Sequence, residues 1–483
     1  MLKRCNSVNL ARYKNYKLLT RSYLNNFCKY LSFILFLSVT IVNPCTAKEP
    51  TWRYLRVDSV EIISDLPEKE LKRIHDNLHY YNRIMEIIFK RSLKHTKQTI
   101  PAIIVSRSST YKDLVGPEIS KRTAGVFGGL PSIEIIILTE REIYEADSVL
   151  FHELAHWNLM RFNPPRWFNE GIATLFDAVE FKSDKIQVGK IDSNMANYIL
   201  YADNLTGVSY QEMFGEGLNW VKDSSDNERL AFYYINSLML THYCLLGQSD
   251  LFKALVAFSK EPIQDESTFQ EYLGFDFKEL ENRIWKYARL SRHKVLSFEK
   301  STLPQPPIAE IRLATPNEVS NLFIRAKLLQ DDSTEARALL HDMPESDPRS
   351  AETRAVLAFV DGDKKRGLEW IKRAKELGIH NPYFEVEWVS ENLTQLLKER
   401  RRQETPHLSS KEARAFAKQL TPGLVYFRNN MKAIRTLIQI LDASNSKVAK
   451  QIDTMFQLWE TRESGRYPEL KAALLKIRER SGF

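Results

Sequence analysis

Apolar positions along this chain follow two rhythms, a three- and four-residue spacing over most of its length and short continuous runs in the first third. Leu71, Ile74, Leu78, Tyr81, Ile84 and Ile88 share one face at helical spacing and predict an amphipathic helix from Glu68 to Phe89. Val60 to Ile63 and Ile100 to Val105 (IPAIIV) read as strands. Thr123 to Phe127 and Ile133 to Leu138 (IEIIIL), parted by Gly128-Gly129, read as a hairpin. A small mixed sheet packed against helices is therefore expected ahead of residue 148. After it come a polar, strand-like stretch from Phe181 to Ile191 and short helices through Met213. An apolar helix over 228–246 and helices over 249–259 and 275–290 follow. Ser301-Thr302-Leu303-Pro304-Gln305-Pro306-Pro307 holds three prolines in seven residues and reads as a linker. Beyond it the pattern is almost wholly helical. The expected architecture is α+β, with a sheet-and-helix domain over 48–300, a linker over 301–308, helical hairpins over 309–400 and further helices over 401–483.

The densest chemistry lies in Ser148 to Asp177, SVLFHELAHWNLMRFNPPRWFNEGIATLFD. His152 and His156 are four apart, so on a helix both imidazoles face one way and can share one metal ion. Glu153 is turned about 100° from His152, which puts a carboxylate beside such a metal, where a general base must be to take a proton from water. Catalytic zinc normally takes three protein ligands. Pro164 and Pro165 stop the first helix, and Pro165 can open a second. A tight turn there can bring Glu170 against the two histidines, and Gly171 lets the two helices approach closely.

HELAH followed by W-F-N-E-G-I-A, with thirteen residues between His156 and Glu170, resembles the gluzincin metallopeptidases, and most of all the bacterial peptidase-MA-like proteins. The resemblance covers about half of the chain. It implies a gluzincin-like fold in which His152, His156 and Glu170 bind Zn²⁺ and Glu153 is the base of peptide-bond hydrolysis. It also implies that the last strand before the motif is an edge strand, so that Gly128 to Ile135 would line the cleft and hold an extended peptide. A buried strand with nothing bound is the other reading. The family's Y-x-x-S pattern matches Tyr234-Ile235-Asn236-Ser237, which implies that Tyr234 donates to the oxyanion; a core aromatic is the alternative. The aminopeptidase branch carries a Gly-x-Met-Glu-Asn segment, and residues 100–151 hold none, which favours an endopeptidase. Thr174 and Asp177, beyond Glu170 on the same helix, are candidates to orient the histidines.

Charge and cysteine usage change meaning once the start of the chain is read. Residues 1–30 carry seven basic and no acidic side chains, followed by the apolar run Leu31 to Val42 and then Asn43-Pro44-Cys45-Thr46-Ala47. This is the layout of a secretory signal cleaved after Ala47 and predicts a secreted or periplasmic protein. An uncleaved membrane anchor is the alternative, although twelve apolar residues fall short of the roughly 20 that span a bilayer. Of the net charge of +8, this leader holds +7, leaving +1 for residues 48–483. The basic balance thus predicts no nucleic-acid partner. Cys5, Cys28 and Cys45 also lie in the leader, so the mature chain keeps only Cys244, set in an apolar helix, and has no intrachain disulfide. The remainder has an ordinary globular composition, 43% hydrophobic and 27% charged over the whole chain.

In the helical half, Asp347-Pro348 and Asn381-Pro382 lie 34 residues apart, each after a helical hairpin whose turn is polar, Gln330-Asp331-Asp332-Ser333 and Asp361-Gly362-Asp363. That is the period of tetratricopeptide repeats, and the stretch AVLAFVDGDKKRGLEWIKRAKELGIHNPYF resembles one. Two such units are too few to stand alone, so they are expected to pack on the helices of 411–483 or on the first domain. Two functions follow. One is a zinc metallopeptidase acting on a peptide or protein. The other is a catalytically silent zinc-binding scaffold whose helical hairpins hold a protein partner.

Overall fold

The continuous apolar runs become central strands because both of their faces are covered. In the computed structural model the chain is described over residues 50–89, 99–121, 123–128, 133–139, 145–160, 164–177, 179–191, 208–215, 227–261, 263–405, 407–426, 431–456 and 468–481. The expected signal over 1–47 lies outside these residues. The strands are β1 (Arg53–Val57), β2 (Val60–Ser64), β3 (Ile100–Val105), β4 (Gly125–Gly128), β5 (Ile135–Thr139), β6 (Glu180–Phe181), β7 (Lys185–Val188), β8 (Leu296–Glu299) and β9 (Arg312–Leu313). Six form one mixed sheet in the order β4-β5-β3-β2-β1-β9. Strands β2, β3 and β5 run parallel, and the pairs β1/β2, β4/β5 and β1/β9 are antiparallel. A second, three-stranded sheet has the order β6-β7-β8.

Alternate side chains of the central strands enter two different cores, as the pleat requires. Ile62, Ala102, Ile104, Ile136 and Leu138 belong to the large core. Ile63, Ile103, Val105, Ile135 and Ile137 belong to another on the opposite face. The large core is built from α1 (Glu68–Phe89) with much of the first domain's helical part, and the opposite face is covered by α2 (Ser108–Val115). Helices α3 (Glu145–Met160) and α4 (Arg166–Asp177) carry the histidine and glutamate motif. They are followed by α5 (Asn227–His242), which runs into a π-helical turn at Tyr243–Gly247, then α6 (Asp250–Phe258), α7 (Glu266–Leu273) and α8 (Phe277–Ala288). Cys244 is fully buried, and its thiol is pushed up to about 12 by that burial.

The helical half begins with α9 (Pro316–Leu329) and α10 (Ser333–His341), continues with α11 (Pro348–Val360) and α12 (Lys364–Glu376), and then with α13 (Pro382–Arg402) and α14 (Ser410–Tyr426). Three hairpins therefore follow one another, where the sequence pattern marks two. The first helix of each opens the same way, with a side-chain cap followed by proline at the first helical position. Thr315 accepts from the Glu318 backbone, Asp347 from Arg349 and Asn381 from Tyr383. Helices α15 (Met431–Asp442), α16 (Ser446–Phe456) and α17 (Pro468–Ser481) pack with α13 and α14 around Val389, Leu393, Leu437 and Ile440.

The architecture is α+β with a helical region, as the pattern predicts. The relation of the two halves differs from the expected linker. Leu303 inserts into the large core, β9 pairs with β1 just after the proline-rich stretch, and Leu322 and Ala326 of α9 cover the second face of the main sheet. Residues Thr51–Phe483 are one compact unit. Among the described residues no helix is long and apolar enough to cross a membrane.

Candidate metal centre

The site is assembled by three helices, each held by apolar anchors behind its polar face. Tyr81 of α1 stacks on Phe151 with ring centroids 4.6 Å apart, and its hydroxyl donates to the Phe151 carbonyl at 3.1 Å, which fixes α3 one residue before His152. Trp167 is buried against Phe214 and Phe258, and its indole N–H donates to Gln264 at 2.9 Å, which fixes the first turn of α4. At Gly171 a Cβ would overlap the Ser237 carbonyl and the Thr241 hydroxyl. The close approach expected at Gly171 is thus made, but to α5 and not to the histidine helix. Its consequence is that α5, with Tyr234 one turn before Ser237, lies against the helix of Glu170.

His152, His156 and Glu170 converge as the sequence predicts, their donor atoms all within 4.8 Å of one another. The two Nε2 atoms are 2.9 Å apart, and Glu170 Oε2 lies 3.3 Å from His156 Nε2 and 3.7 Å from His152 Nε2. A tetrahedral ion with bonds of about 2.0–2.1 Å separates its donors by roughly 3.3 Å, and these three distances bracket that value. Glu170 is 7% exposed, and its Oε2 is buried without a hydrogen-bond partner among the described residues. An ionised oxygen in that state is costly unless a cation meets it.

Glu153, Glu170 and Asp177 stand around the two imidazoles, with the guanidinium of Arg166 beside Glu170. Burial would keep Glu170 protonated, but His156, His152 and Arg166 outweigh it and hold its carboxyl below the usual range. Burial also opposes a charge on His152, yet the Asp177 carboxylate on its Nδ1, with Glu153 and Glu170, pushes it up to about 9. Glu153 is raised, chiefly by burial and with the two histidines opposing, which suits a base that must take up a proton.

Of the two candidates to orient the histidines, Asp177 does so, with Oδ1 3.1 Å from His152 Nδ1. That contact turns Nε2 toward the other donors. Thr174 does not; its hydroxyl is buried without a hydrogen-bond partner among the described residues. Tyr234 comes into the site, where burial and the Glu170 carboxylate raise its phenol and Arg166 opposes them. Arg166 escaped the sequence reading, although its position four residues before Glu170 is the signal that could have found it.

The edge-strand expectation changes. β5, the last strand before the motif, is an inner strand between β4 and β3, and β4 forms the edge. Within Gly128 to Ile135, Gly128 sits against Leu329 of α9 and the Glu134 carbonyl accepts from Arg325, also of α9, so both meet the helical half. Gly129 to Pro131 and Ser132 lie outside the described residues.

A cavity of about 400 Å³ lies away from this site, between the sheet and the hairpins, lined among others by Glu318, Arg325 and Glu352. No family model, curated protein or solved structure matches the chain.

Proposed function

We propose that this chain is a zinc-dependent metallopeptidase that cleaves peptide bonds within a chain rather than from a free amino terminus. The observation that carries the reading is the buried Oε2 of Glu170, which has no hydrogen-bond partner among the described residues and faces two imidazole nitrogens at 3.3 and 3.7 Å. His152, His156 and Glu170 would hold the ion, and Asp177 fixes the tautomer of His152. When bound, zinc supplies a Lewis acid that lowers the pKa of water and polarises a carbonyl. Glu153 takes the proton from the attacking water and passes it to the leaving amine nitrogen as the C–N bond breaks. The Tyr234 phenol donates to the carbonyl oxygen as it gains negative charge. The basic leader and apolar run read from the sequence support a reaction in the envelope or outside the cell.

The test is the metal content of residues 48–483, wild type and Glu170→Ala, followed by a peptide-library cleavage screen of the wild type. One zinc per wild-type chain, lost or greatly weakened in the variant, is expected. A wild type that takes up no zinc under metal-replete conditions overturns the reading and turns attention to the helical hairpins as a partner-binding scaffold.

A further inference from the structure

We infer that Arg166 is a positioning residue that clamps the non-ligating oxygen of Glu170 and the phenol oxygen of Tyr234, so that metal ligand and oxyanion donor are set by one side chain. The inference rests on the peptidase reading and deepens it. Arg166 opens α4 one turn before Glu170, and its Nε lies 3.5 Å from Glu170 Oε1, the oxygen turned away from the histidines. Holding Oε1 leaves Oε2 as the single donor directed at His152 and His156. The guanidinium also interacts electrostatically with Tyr234 and lies over the ring of Tyr233, its carbon 6.0 Å from the centroid. A phenol oxygen that accepts from a cation keeps its own hydrogen free to donate and becomes a stronger donor. A planar fork with five N–H groups can serve both partners at once, whereas an ammonium acts as a point charge. Gly171 makes the arrangement possible, since without a Cβ there α5 can bring Tyr234 within reach of a side chain on α4.

The experiment uses the full chain with Arg166→Gln, Arg166→Lys, Tyr234→Phe and the Arg166→Gln/Tyr234→Phe pair. Each is checked for folding by circular dichroism, then measured for zinc affinity by chelator competition and for kcat and KM on a peptide the wild type cleaves. Arg166→Gln is expected to weaken zinc binding about tenfold or more. It should also lower kcat by about the same 10²-fold as Tyr234→Phe with KM little changed, and the pair should be no worse than either single change. Arg166→Lys should restore zinc affinity by keeping the Glu170 contact and leave kcat low. Wild-type zinc affinity in Arg166→Gln, or effects of Arg166→Gln and Tyr234→Phe on kcat that multiply, would overturn the clamp. If Arg166→Gln does not fold, Arg166→Lys and Tyr234→Phe decide by the same readouts. A wild type without zinc overturns the metal reading and the clamp with it. A zinc-loaded wild type that cleaves nothing overturns only the peptidase reading, and the chelator measurement then decides the clamp.

Discussion

Two regions of this molecule bury charge, and they treat it in opposite ways. At the junction of the main sheet with the hairpins, Arg325 donates to Asn321 at 3.1 Å, to the Glu134 carbonyl at 3.2 Å and to Glu352 at 2.6 Å. The second oxygen of Glu352 accepts from Asn381 at 2.9 Å, and Glu318 accepts from Arg312 and from the Thr315 backbone. Both carboxylates and the Arg325 guanidinium are met from within the chain. At the candidate metal centre Glu170 Oε2 and His156 Nδ1 are buried and have no hydrogen-bond partner among the described residues. Completed buried networks hold a fold in one arrangement, whereas an incomplete one points to something the chain does not itself supply. The difference, more than the number of acidic or basic groups, separates structural glue from a site.

The comparison can be broken most sharply at the base. Glu153→Gln is expected to keep zinc and lower kcat/KM by up to about 10⁴-fold, about 5 kcal/mol in barrier, because the ligands stay and the proton acceptor is lost. Retained hydrolysis with retained zinc in that variant would sink the mechanism. Arg325→Ala should do the reverse, costing roughly 3–5 kcal/mol of stability in urea unfolding by stranding Glu352, with zinc content unchanged. A fall in zinc content in folded Arg325→Ala would show that the two regions are coupled.

A third buried group sharpens the contrast through pH. His242 Nδ1 accepts from the Tyr287 hydroxyl at 2.9 Å and Nε2–H donates to the Gly189 carbonyl at 2.7 Å, so the neutral ring is fully satisfied. Burial, with His293 nearby, lowers it to about 4 against the Gly189 bond. The folded value lies below the ordinary 6.5, so the unfolded chain takes up the proton first as pH falls. Stability is complete above about pH 6.5 and is lost toward pH 4, by roughly 3 kcal/mol. Urea unfolding across that window should show the slope in the wild type and a flatter one in His242→Gln; equal slopes would refute it. The smallest expected effect is at Asp177. Asp177→Asn should weaken zinc binding about tenfold, about 1.4 kcal/mol, read by chelator competition, since a histidine ligand loses its orienting carboxylate.

The sequence by itself determined the local elements and the donor set. Strong periodicity marked the helix at Glu68–Phe89, and unbroken apolar runs marked β3 and β5. The four-residue spacing of His152 and His156, with Glu170 past a proline break, singled out the three side chains whose donor atoms converge. Short elements with mixed faces escaped, among them β1, whose RYLRV alternates two arginines with apolar residues, and the two-residue β9. Tertiary structure alone decided what long-range packing decides. The IIILT of β5 reads alike as an edge or a central strand, and only pairing with both β4 and β3 makes it central. Nothing local says that Leu322 and Ala326 of α9 cover the sheet, or that Gly171 meets Ser237 and not the histidine helix. Spacing along a chain reports which side chains share a face, and the face they meet depends on residues far away in sequence.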